Sequence, residues 1–596
     1  MKSKKFAILA ASTLAAIALS ACQQAQKRTF DPSTYAGYQC DLNGDGVIAD
    51  NERNLTWAQS FDTIIDTIKA TSDNVQRFKL MHVAEDELMS TGAVTPLYYY
   101  TDTFLKKENL TGFYASPLGM KFFEEAKWGD STEIVACIAS QPTTIDPHLN
   151  SSVDGGTYDS MLFQGLMRWS HDGVYGQSGY AVKVIEGDAA SYQKTVNADG
   201  TVTYVFTLKE GLRWSDGTPY DAKDYVRSWR RSVNHSTAAD YAYLYEVIKG
   251  GAEAEEGDTG EELEVSASED GKQLTVNLVS DVPYFLQLMA FPAFYPVPET
   301  ADAEGAWCAV GQTPISNGAM KLSSYDKTKI EMVKNENYVD AGRVTATKIT
   351  FPFSDDASAM LTAYRSNAYA LIDDVPTAEL ATLRAEIPNE FFNPGQLGTY
   401  YISFNIRSSF ADGVLDTEEK RTKYRQALGL MIDRNYLVES VAQNGASPAD
   451  GFVSKGLTEA DGATDWTDAR KPYFSLAKAD QASNEEKAVQ MLKDIGLEFD
   501  EGTKQFTNAP GFSYLYNTGA GHKAIAEYLQ QAWAKYGIKA TLENQEWATF
   551  VTTRKEGECD VARGGWLCDY DDPISMLDMF VSNSGNNDPG FGKAPL

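Results

Sequence analysis

The amino-acid sequence predicts an α/β fold built from more than one domain. Between residues 313 and 373, segments with the alternating apolar pattern of strands lie on either side of a helical segment, SAMLTAYR. A chain of this length corresponds to about three to four domains. The hydrophobic content of 43%, with aromatic residues at 12%, supplies enough apolar surface for their cores.

Residues 544–573, NQEWATFVTTRKEGECDVARGGWLCDYDDP, carry the most informative charge pattern. Their second half contains a strand-like run, and their charged groups include Arg554, Arg563, Asp569, Asp571 and Asp572. Arginine binds carboxylates through two hydrogen bonds and a carboxylate binds an ammonium, so this stretch suits a zwitterion such as a peptide. An ordinary solvated strand end is the alternative. The pair Gly564-Gly565 favours main-chain pairing with an extended ligand along an exposed strand edge.

This stretch resembles a block of a known family, the extracellular solute-binding proteins (family 5) of oligopeptide and dipeptide ABC importers. The family has an NQEW segment, a D-x-AR-x-GW run and a D-Y-x-[DE]-P turn, all of which are present here. The resemblance implies that Asp569 holds the α-ammonium of a peptide and that Trp566 helps to wall the pocket. It also implies that carboxylates of peptides of different lengths meet Arg554, Arg563 and His522. His522 opens an amphipathic segment, where a plain helix-start role is the alternative.

The resemblance also implies a periplasmic-binding-protein-like, two-lobed clamp of type II with an extra subdomain and a hinge between the lobes. A second signature at residues 199–231, DGTVTYVFTLKEGLRWSDGTPYDAKDYVRSWRR, matches the family and is expected to be scaffold. The two lobe crossings are expected near Leu97–Thr101 and Gly398–Phe404. Tyr241 and Thr143 are further candidates for ligand contact, and a packing role is the alternative for Tyr241. The expected division is 41–97 and 400–596 for lobe II, 98–175 and 300–399 for lobe I, and 176–299 for the extra subdomain.

The first 21 residues have the pattern of a secretory signal, with three lysines followed by an apolar core and small residues. They end in Leu19-Ser20-Ala21-Cys22, which resembles the bacterial lipoprotein box and implies lipidation of Cys22. Two acyl chains give stable anchoring. Residues 22–40 would then be a polar tether, and the protein would lie on the outer face of the cytoplasmic membrane.

Charge and motifs exclude several classes of function. The net charge of −31 argues against nucleic acid as a partner, because phosphate binding needs a cationic surface. The sequence has no G-x-x-x-x-G-K-[ST], H-E-x-x-H or G-x-S-x-G motif, and its two S-x-x-K matches lack a K-T-G partner. We therefore expect a protein that is not an enzyme. Six cysteines are too few for a disulfide scaffold, and Cys559 and Cys568 are consistent with a pair or with two small buried residues.

Residues 41–52, DLNGDGVIADNE, match the pattern of an EF-hand calcium loop. Gly46 stands at the sharp turn, and the expected ligands are Asp41, Asn43, Asp45, the carbonyl of Val47, and Glu52. Because no paired loop is evident, the pattern predicts one structural Ca²⁺ ion and no regulatory role. A metal-free turn rich in Asp, Asn and Gly is the alternative.

The family segments stand in an unusual order. Residues 57–128 resemble the carboxyl-terminal end of the family, with two helices divided by TSDN, a PLYYY strand and a closing aromatic run. The family's beginning is recognisable only after them, at Thr132–Trp169. We therefore expect a circular permutation, which neighbouring surface termini make tolerable. A relic of a duplicated gene and a miscalled reading frame are the alternatives.

Taken together, the sequence predicts a monomeric, lipid-anchored binding protein that captures oligopeptides and delivers them to the permease subunits of an ABC importer. A binding protein for another solute, such as a sugar or a metal complex, is the alternative within the family. Outside it, a calcium-dependent surface sensor or adhesin and a secreted hydrolase remain open.

Overall fold

The computed structural model describes residues 31, 33–139, 141–257, 259–519 and 521–595. The predicted signal peptide, the lipidation site at Cys22 and part of the tether lie outside these residues. Within them, no helix combines the length and apolar character that crossing a membrane requires.

Lobe II is built around a six-stranded mixed sheet. In spatial order its strands are Ser447–Pro448, Val94–Thr101, Gly395–Phe404, Val561–Leu567, Phe512–Asn517 and Ala540–Gln545. The first four pair antiparallel and the last three pair parallel. The longer helices of this lobe are Thr63–Ala70, Asn74–Ser90, Glu418–Leu430, Gln481–Asp494, His522–Ala534 and Trp547–Glu556.

Lobe I is built around a seven-stranded sheet. Its strands in spatial order are Met320–Tyr325, Lys329–Lys334, Lys348–Pro352, Glu133–Cys137, Leu371–Ile372, Phe104–Lys106 and Phe391–Phe392. The main helices of this lobe are Val153–Leu162, Ala357–Arg365 and Leu380–Glu386. Both lobes thus have the α/β character that the sequence predicts.

The extra subdomain contains a four-stranded antiparallel sheet with strands Ala189–Val196, Val202–Leu208, Gln273–Leu278 and Val265–Ala267. The strand Val202–Leu208 buries every second residue, as its alternating sequence predicts. The amphipathic helix Ala222–Val233 follows it, capped by Asp221. The acidic, glycine-rich composition of residues 250–271 predicts a solvated loop with a short strand inside it. The structure has in addition a helix at Gly251–Glu256.

Five short two-stranded antiparallel sheets complete the strands of the described residues: Tyr38–Gln39 with Arg53–Leu55, Leu110–Thr111 with Lys127–Trp128, Tyr114–Ala115 with Lys121–Phe122, Met167–Asp172 with Ala181–Glu186, and Phe499–Asp500 with Gln505–Phe506.

The lobes are joined close to the predicted crossings but not within them. The segments Leu97–Thr101 and Gly398–Phe404 lie within strands of the lobe II sheet, so the expected boundaries at 97/98 and 399/400 fall inside strands. The chain passes between lobes at residues 102–103 and 393–394, just beyond these strands. The two connections are bonded to each other, because Asp102 N–H donates to the carbonyl of Pro394 at 2.8 Å.

The strand Phe104–Lys106 belongs to the lobe I sheet, but the segment before it, residues 57–101, is an integral part of lobe II. Its two helices end at Ala70 and begin at Asn74, on either side of the predicted TSDN break. Trp57, 1% exposed, stacks on Phe591 at 4.1 Å between ring centroids, and its indole N–H donates to the carbonyl of Phe580 at 2.9 Å. The beginning and the end of the described chain therefore share one aromatic core.

Candidate functional site

Two neighbouring cavities lie between the lobes, and the extra subdomain contributes to the lining of the first. The first cavity, of about 300 Å³, is lined by six of the seven predicted ligand-contact residues: Thr143, Tyr241, Arg554, Arg563, Trp566 and Asp569. The seventh, His522, lines the second cavity, of about 390 Å³. Arg563 borders both cavities, so together they form one cleft.

Asp569 is buried beside the first cavity and is only partly satisfied. Its side-chain Oδ1 accepts a hydrogen bond from the Tyr241 hydroxyl at 3.0 Å, and its N–H donates to Ser575 Oγ at 2.9 Å. The other carboxylate oxygen, Oδ2, is buried and has no hydrogen-bond partner among the described residues. A buried polar atom without a partner is costly, so this oxygen favours the arrival of a donor.

Burial raises the pKa of Asp569 well above its ordinary value, and the charge of Asp578 adds to the shift. The hydrogen bond from Tyr241 acts in the opposite direction, because it stabilises the charged form. An ammonium group placed at Oδ2 would supply both the missing donor and the compensating charge.

Arg563 is a buried cation, 7% exposed, on the strand Val561–Leu567. Its Nε donates to Asn517 Oδ1 at 2.7 Å. Its guanidinium carbon lies 5.4 Å and 5.3 Å from the ring centroids of Trp547 and Phe550. Among the described residues it has no ion pair with a carboxylate, so it can receive one from a ligand.

Arg554 also faces the first cavity, but it already has an internal partner. Its Nε lies 2.9 Å from Asp588 Oδ2, and the two side chains are 13% and 4% exposed. A ligand carboxylate would therefore compete with Asp588 for this guanidinium.

His522 begins the helix His522–Ala534, as its sequence predicts. Its Nδ1 lies 3.2 Å from the hydroxyl of Tyr400. Burial lowers the pKa of His522 well below its ordinary value, and the charge of Arg563 lowers it further. The ring is therefore neutral at physiological pH and would contact a ligand as a hydrogen-bonding group.

The remaining predicted contacts form the walls of the first cavity. The Trp566 indole N–H donates to the carbonyl of Ser575 at 2.7 Å, which fixes the orientation of the ring. Tyr241 reaches in from the extra subdomain and is buried. Thr143 is exposed on the loop after the strand Glu133–Cys137.

The strand Val561–Leu567 has one partly open edge, and its two glycines lie against side chains of the protein itself. It pairs with Gly395–Phe404 along its length, whereas Phe512–Asn517 pairs only with residues 561–562. A Cβ at Gly564 would lie 2.4 Å from the ring of Tyr401, and one at Gly565 would lie 2.3 Å from the hydroxyl of Tyr100. The glycines thus make room for two tyrosines of the protein itself.

Sequence reasoning missed five residues that border both cavities: Tyr100, Val153, Asp154, Trp547 and Leu567. Tyr100 lies in the PLYYY strand, and Trp547 is the last residue of the NQEW segment, so both were within recognised motifs. It also missed an ion pair across the cleft between Lys555 and Asp240, which are far apart in sequence and carry no pattern that links them.

The predicted calcium loop forms a compact turn with Gly46 at a positive φ of 85°. Asp41 Oδ2 accepts from the N–H of Gly46 at 2.7 Å, and the two oxygens of Glu52 accept from the N–H groups of Leu42 and Ala49. In the described part of the chain, no cluster of three or more His, Cys, Asp or Glu side chains has a metal-binding arrangement.

The five cysteines of the described residues, Cys40, Cys137, Cys308, Cys559 and Cys568, are buried free thiols. Of the two possibilities for Cys559 and Cys568, the structure therefore has the separate buried residues.

Two α/β lobes with a charged cleft between them define a binding protein of the periplasmic type. The chain belongs to the bacterial extracellular solute-binding proteins, family 5, whose model (described as the family's middle part) matches residues 184–588. It is 31% identical over 485 residues to the periplasmic oligopeptide-binding protein OppA of Salmonella typhimurium, covering 78% of this chain and 81% of that protein. It is 29% identical over 468 residues to the oligopeptide-binding protein OppA of Bacillus subtilis, covering 76% and 78%.

Solved structures of the same family have the same architecture. The murein tripeptide binding protein MppA of Escherichia coli matches with a TM-score of 0.66 and 27% identity, over 77% of this chain and 84% of that chain. Haemophilus influenzae OppA in complex with RPPGFSPFR matches with a TM-score of 0.65 and 28% identity, over 78% and 85%. The substrate-binding domain of an oligopeptide ABC transporter of Bacillus anthracis matches with a TM-score of 0.64 and 25% identity, over 78% and 84%.

Proposed function

We propose that this protein captures oligopeptides outside the cytoplasm and delivers them to the permease subunits of an ABC importer, without catalysing a reaction. One observation carries the proposal: a buried carboxylate with an unpartnered oxygen, Asp569, and a buried guanidinium without an acidic partner, Arg563, face the same cavity. These groups match the two charged ends of a short peptide. The oligopeptide ligands named for its relatives support the same assignment.

The test is to identify what the protein binds. Purified protein is unfolded to release bound molecules, which are identified by mass spectrometry, and is then refolded and titrated with defined peptides by calorimetry. Intact peptides and saturable binding support the proposal. Cleaved peptides would indicate a hydrolase, and binding of sugars or metal complexes in place of peptides would indicate another solute.

We propose further that Cys22 carries the lipid anchor and that the mature protein is a monomer on the outer face of the membrane. The lipoprotein box supports this assignment. Metabolic labelling with a fatty-acid analogue should mark the wild type but not the C22S variant, which should be released into the medium or periplasm. Equal labelling of both would contradict the assignment.

We propose that the chain is a circularly permuted member of its family. The strand Val94–Thr101 pairs with Gly395–Phe404 in lobe II, and Trp57 stacks on Phe591, so residues 57–101 occupy a place within that lobe. A variant gene in which residues 41–128 follow residue 595 through a short linker should yield a folded, peptide-binding protein. Failure of this variant to fold, while a linker control in the native order folds, would contradict the proposal.

We propose one structural Ca²⁺ ion at residues 41–52, where carboxylate, amide and carbonyl oxygens form the donor set that this ion prefers. Calcium binding to the folded state should raise the midpoint temperature of thermal unfolding. At a calcium concentration a hundredfold above Kd, the free energy of unfolding should increase by about 2.7 kcal/mol. The D45A variant should lose this response to Ca²⁺. An unchanged midpoint for the wild type with Ca²⁺ and with chelator would assign the loop as a metal-free turn.

A further inference from the structure

The second cavity has an excess of negative charge. The charged side chains that line it are Asp102, Asp154, Asp355, Asp373, Asp374, Lys121 and Arg563. Lys121 Nζ lies 2.9 Å from both Asp102 and Asp373, so one ammonium is shared between two carboxylates. Arg563 comes from the opposite lobe, and His522 beside it is neutral. Among the described residues, the lobe I wall of this cavity thus carries five acidic side chains and one lysine.

Asp154 holds the central position in this arrangement, because it borders both cavities. It lies in the first turn of the helix Val153–Leu162, which Ser152 caps. It has no ion pair among the described residues. Burial raises the pKa of Asp154 to about 6, and Asp374 and Asp102 add to the shift against the effect of Lys121.

Across the cleft, the guanidinium of Arg563 is more than nine-tenths buried and has no acidic partner among the described residues. The second cavity thus presents an acid on one lobe and a cation on the other. A ligand segment that carries a cationic side chain next to a peptide carbonyl or carboxylate would satisfy both.

We propose that the second cavity selects peptides with a lysine or arginine side chain beyond the first residue, and that Asp154 is the specificity-determining contact for its cationic group. The inference rests on the proposed peptide-binding function. The first residue of the peptide is not expected in the second cavity, because its α-ammonium is proposed to bind Asp569 in the first cavity. A cavity of about 390 Å³ accommodates a long side chain, and an acidic side chain there would face like charges.

The experiment is a position scan by calorimetry. Tetraalanine peptides carry lysine at position two, three or four, and matched peptides carry norleucine, which has a similar stem without the charge. For the wild type we expect lysine to bind about tenfold more tightly than norleucine at one position, the size of a charge-assisted bond. D154N should reduce this ratio to less than about twofold.

The D172N variant is the matched control, because Asp172 pairs with Lys183 on an exposed hairpin away from the cleft; it should keep the wild-type ratio. The wild type alone gives a second readout, since added salt should lower the lysine-to-norleucine ratio if the preference is electrostatic. Equal affinities for lysine and norleucine at every position, or a full ratio in D154N, would overturn the inference and leave peptide binding intact. Absence of binding to all the peptides would instead overturn the proposed function as well.

Discussion

At the scale of single residues, Asp569 combines two opposing demands. Burial favours its neutral form, whereas recognition of an ammonium needs its charged form. A carboxyl group whose pKa is raised by folding destabilises the fold increasingly as pH rises from its unfolded pKa towards its folded pKa. Asp569 therefore lowers the free energy of unfolding at neutral pH, and its charged form is the one that binds an ammonium.

The D569N variant separates these two effects. Asparagine keeps the size of the side chain and removes the buried charge, so the variant should be at least as stable as the wild type at about pH 8. Its affinity for peptides should fall by about tenfold to a hundredfold, because one charge-assisted bond is lost. Thermal unfolding and calorimetry measure the two outcomes, and D571N, at an exposed neighbouring position, is the control. Unchanged affinity in D569N would remove the assignment of the ammonium contact.

The same pKa shift predicts that peptide binding releases protons. An arriving ammonium stabilises the charged form of Asp569 and so lowers the pKa that burial has raised. Over the pH range between the two pKa values, affinity should rise with pH. The observed binding enthalpy should depend on the ionisation enthalpy of the buffer, with a slope that indicates proton release. D569N should abolish this slope if Asp569 is its source, and an identical slope in both proteins would assign the protons to other groups.

At the scale of elements, the strand Val561–Leu567 brings the cleft residues together because its two glycines admit tyrosines on either face. Gly564 lies against Tyr401, which is 1% exposed. Gly565 lies against the hydroxyl of Tyr100, and an ideal Cβ built on Gly565 would be 3.1 Å from Arg563 Nη1. The first contact is with a ring that packs in the core and also borders the first cavity. The second is with side-chain ends at the cleft.

This difference predicts distinct effects of two alanine substitutions. G564A should destabilise the protein by about 1–3 kcal/mol, because overpacking displaces a core ring. G565A should cost less stability and weaken peptide binding, because Tyr100 and Arg563 can move away at the expense of their positions in the cleft. G395A is the matched control in the neighbouring strand, where an ideal Cβ meets nothing within 4 Å. Denaturant unfolding should show the larger loss of stability in G564A, and calorimetry should show the larger loss of peptide affinity in G565A. If one variant showed the larger loss in both measurements, this account would be contradicted.

The elements with strong local patterns could be predicted from the sequence. The helix at His522 and the strand Val202–Leu208 follow from periodicity, and the cleft residues follow from a motif in which charges, glycines and an aromatic residue stand together. The helix at Gly251–Glu256 was missed, because acidic and glycine-rich composition indicates a loop. The free cysteines at 559 and 568 could not be decided, because pairing depends on distances that spacing does not give.

At the scale of the whole molecule, contacts between lobe II and the extra subdomain hold the cleft together. Lys555 donates to Ser151 Oγ at 2.9 Å and pairs with Asp240. The next residue, Tyr241, donates to Asp569 at 3.0 Å. Asp240 and Tyr241 are consecutive residues of the subdomain, and they contact Lys555 and Asp569 of lobe II respectively. Lobe closure and ligand contact are therefore coupled. Long-range pairs of this kind were also beyond sequence reasoning, since 315 residues separate Lys555 from Asp240.

This coupling predicts that the ion pair between Lys555 and Asp240 affects peptide affinity without contacting the ends of the peptide. In K555M the stem of the side chain is kept and the charge is lost, so the closed arrangement should be less favoured. The pair is partly exposed, with each side chain 20% accessible, and such pairs contribute about 0.2–1 kcal/mol, which corresponds to a loss of affinity of up to about fivefold. The loss should arise from faster dissociation, because closure follows encounter.

Two measurements decide whether Lys555 acts through closure. Small-angle scattering at a subsaturating peptide concentration should give a larger radius of gyration for K555M than for the wild type, and saturating peptide should remove the difference. Lys523, 73% exposed on a lobe II helix, provides the control variant K523M, which should match the wild type in scattering and in dissociation rate. If K555M dissociates faster but scatters like the wild type at every peptide concentration, the ion pair acts on the ligand site itself and the lobes close independently of it.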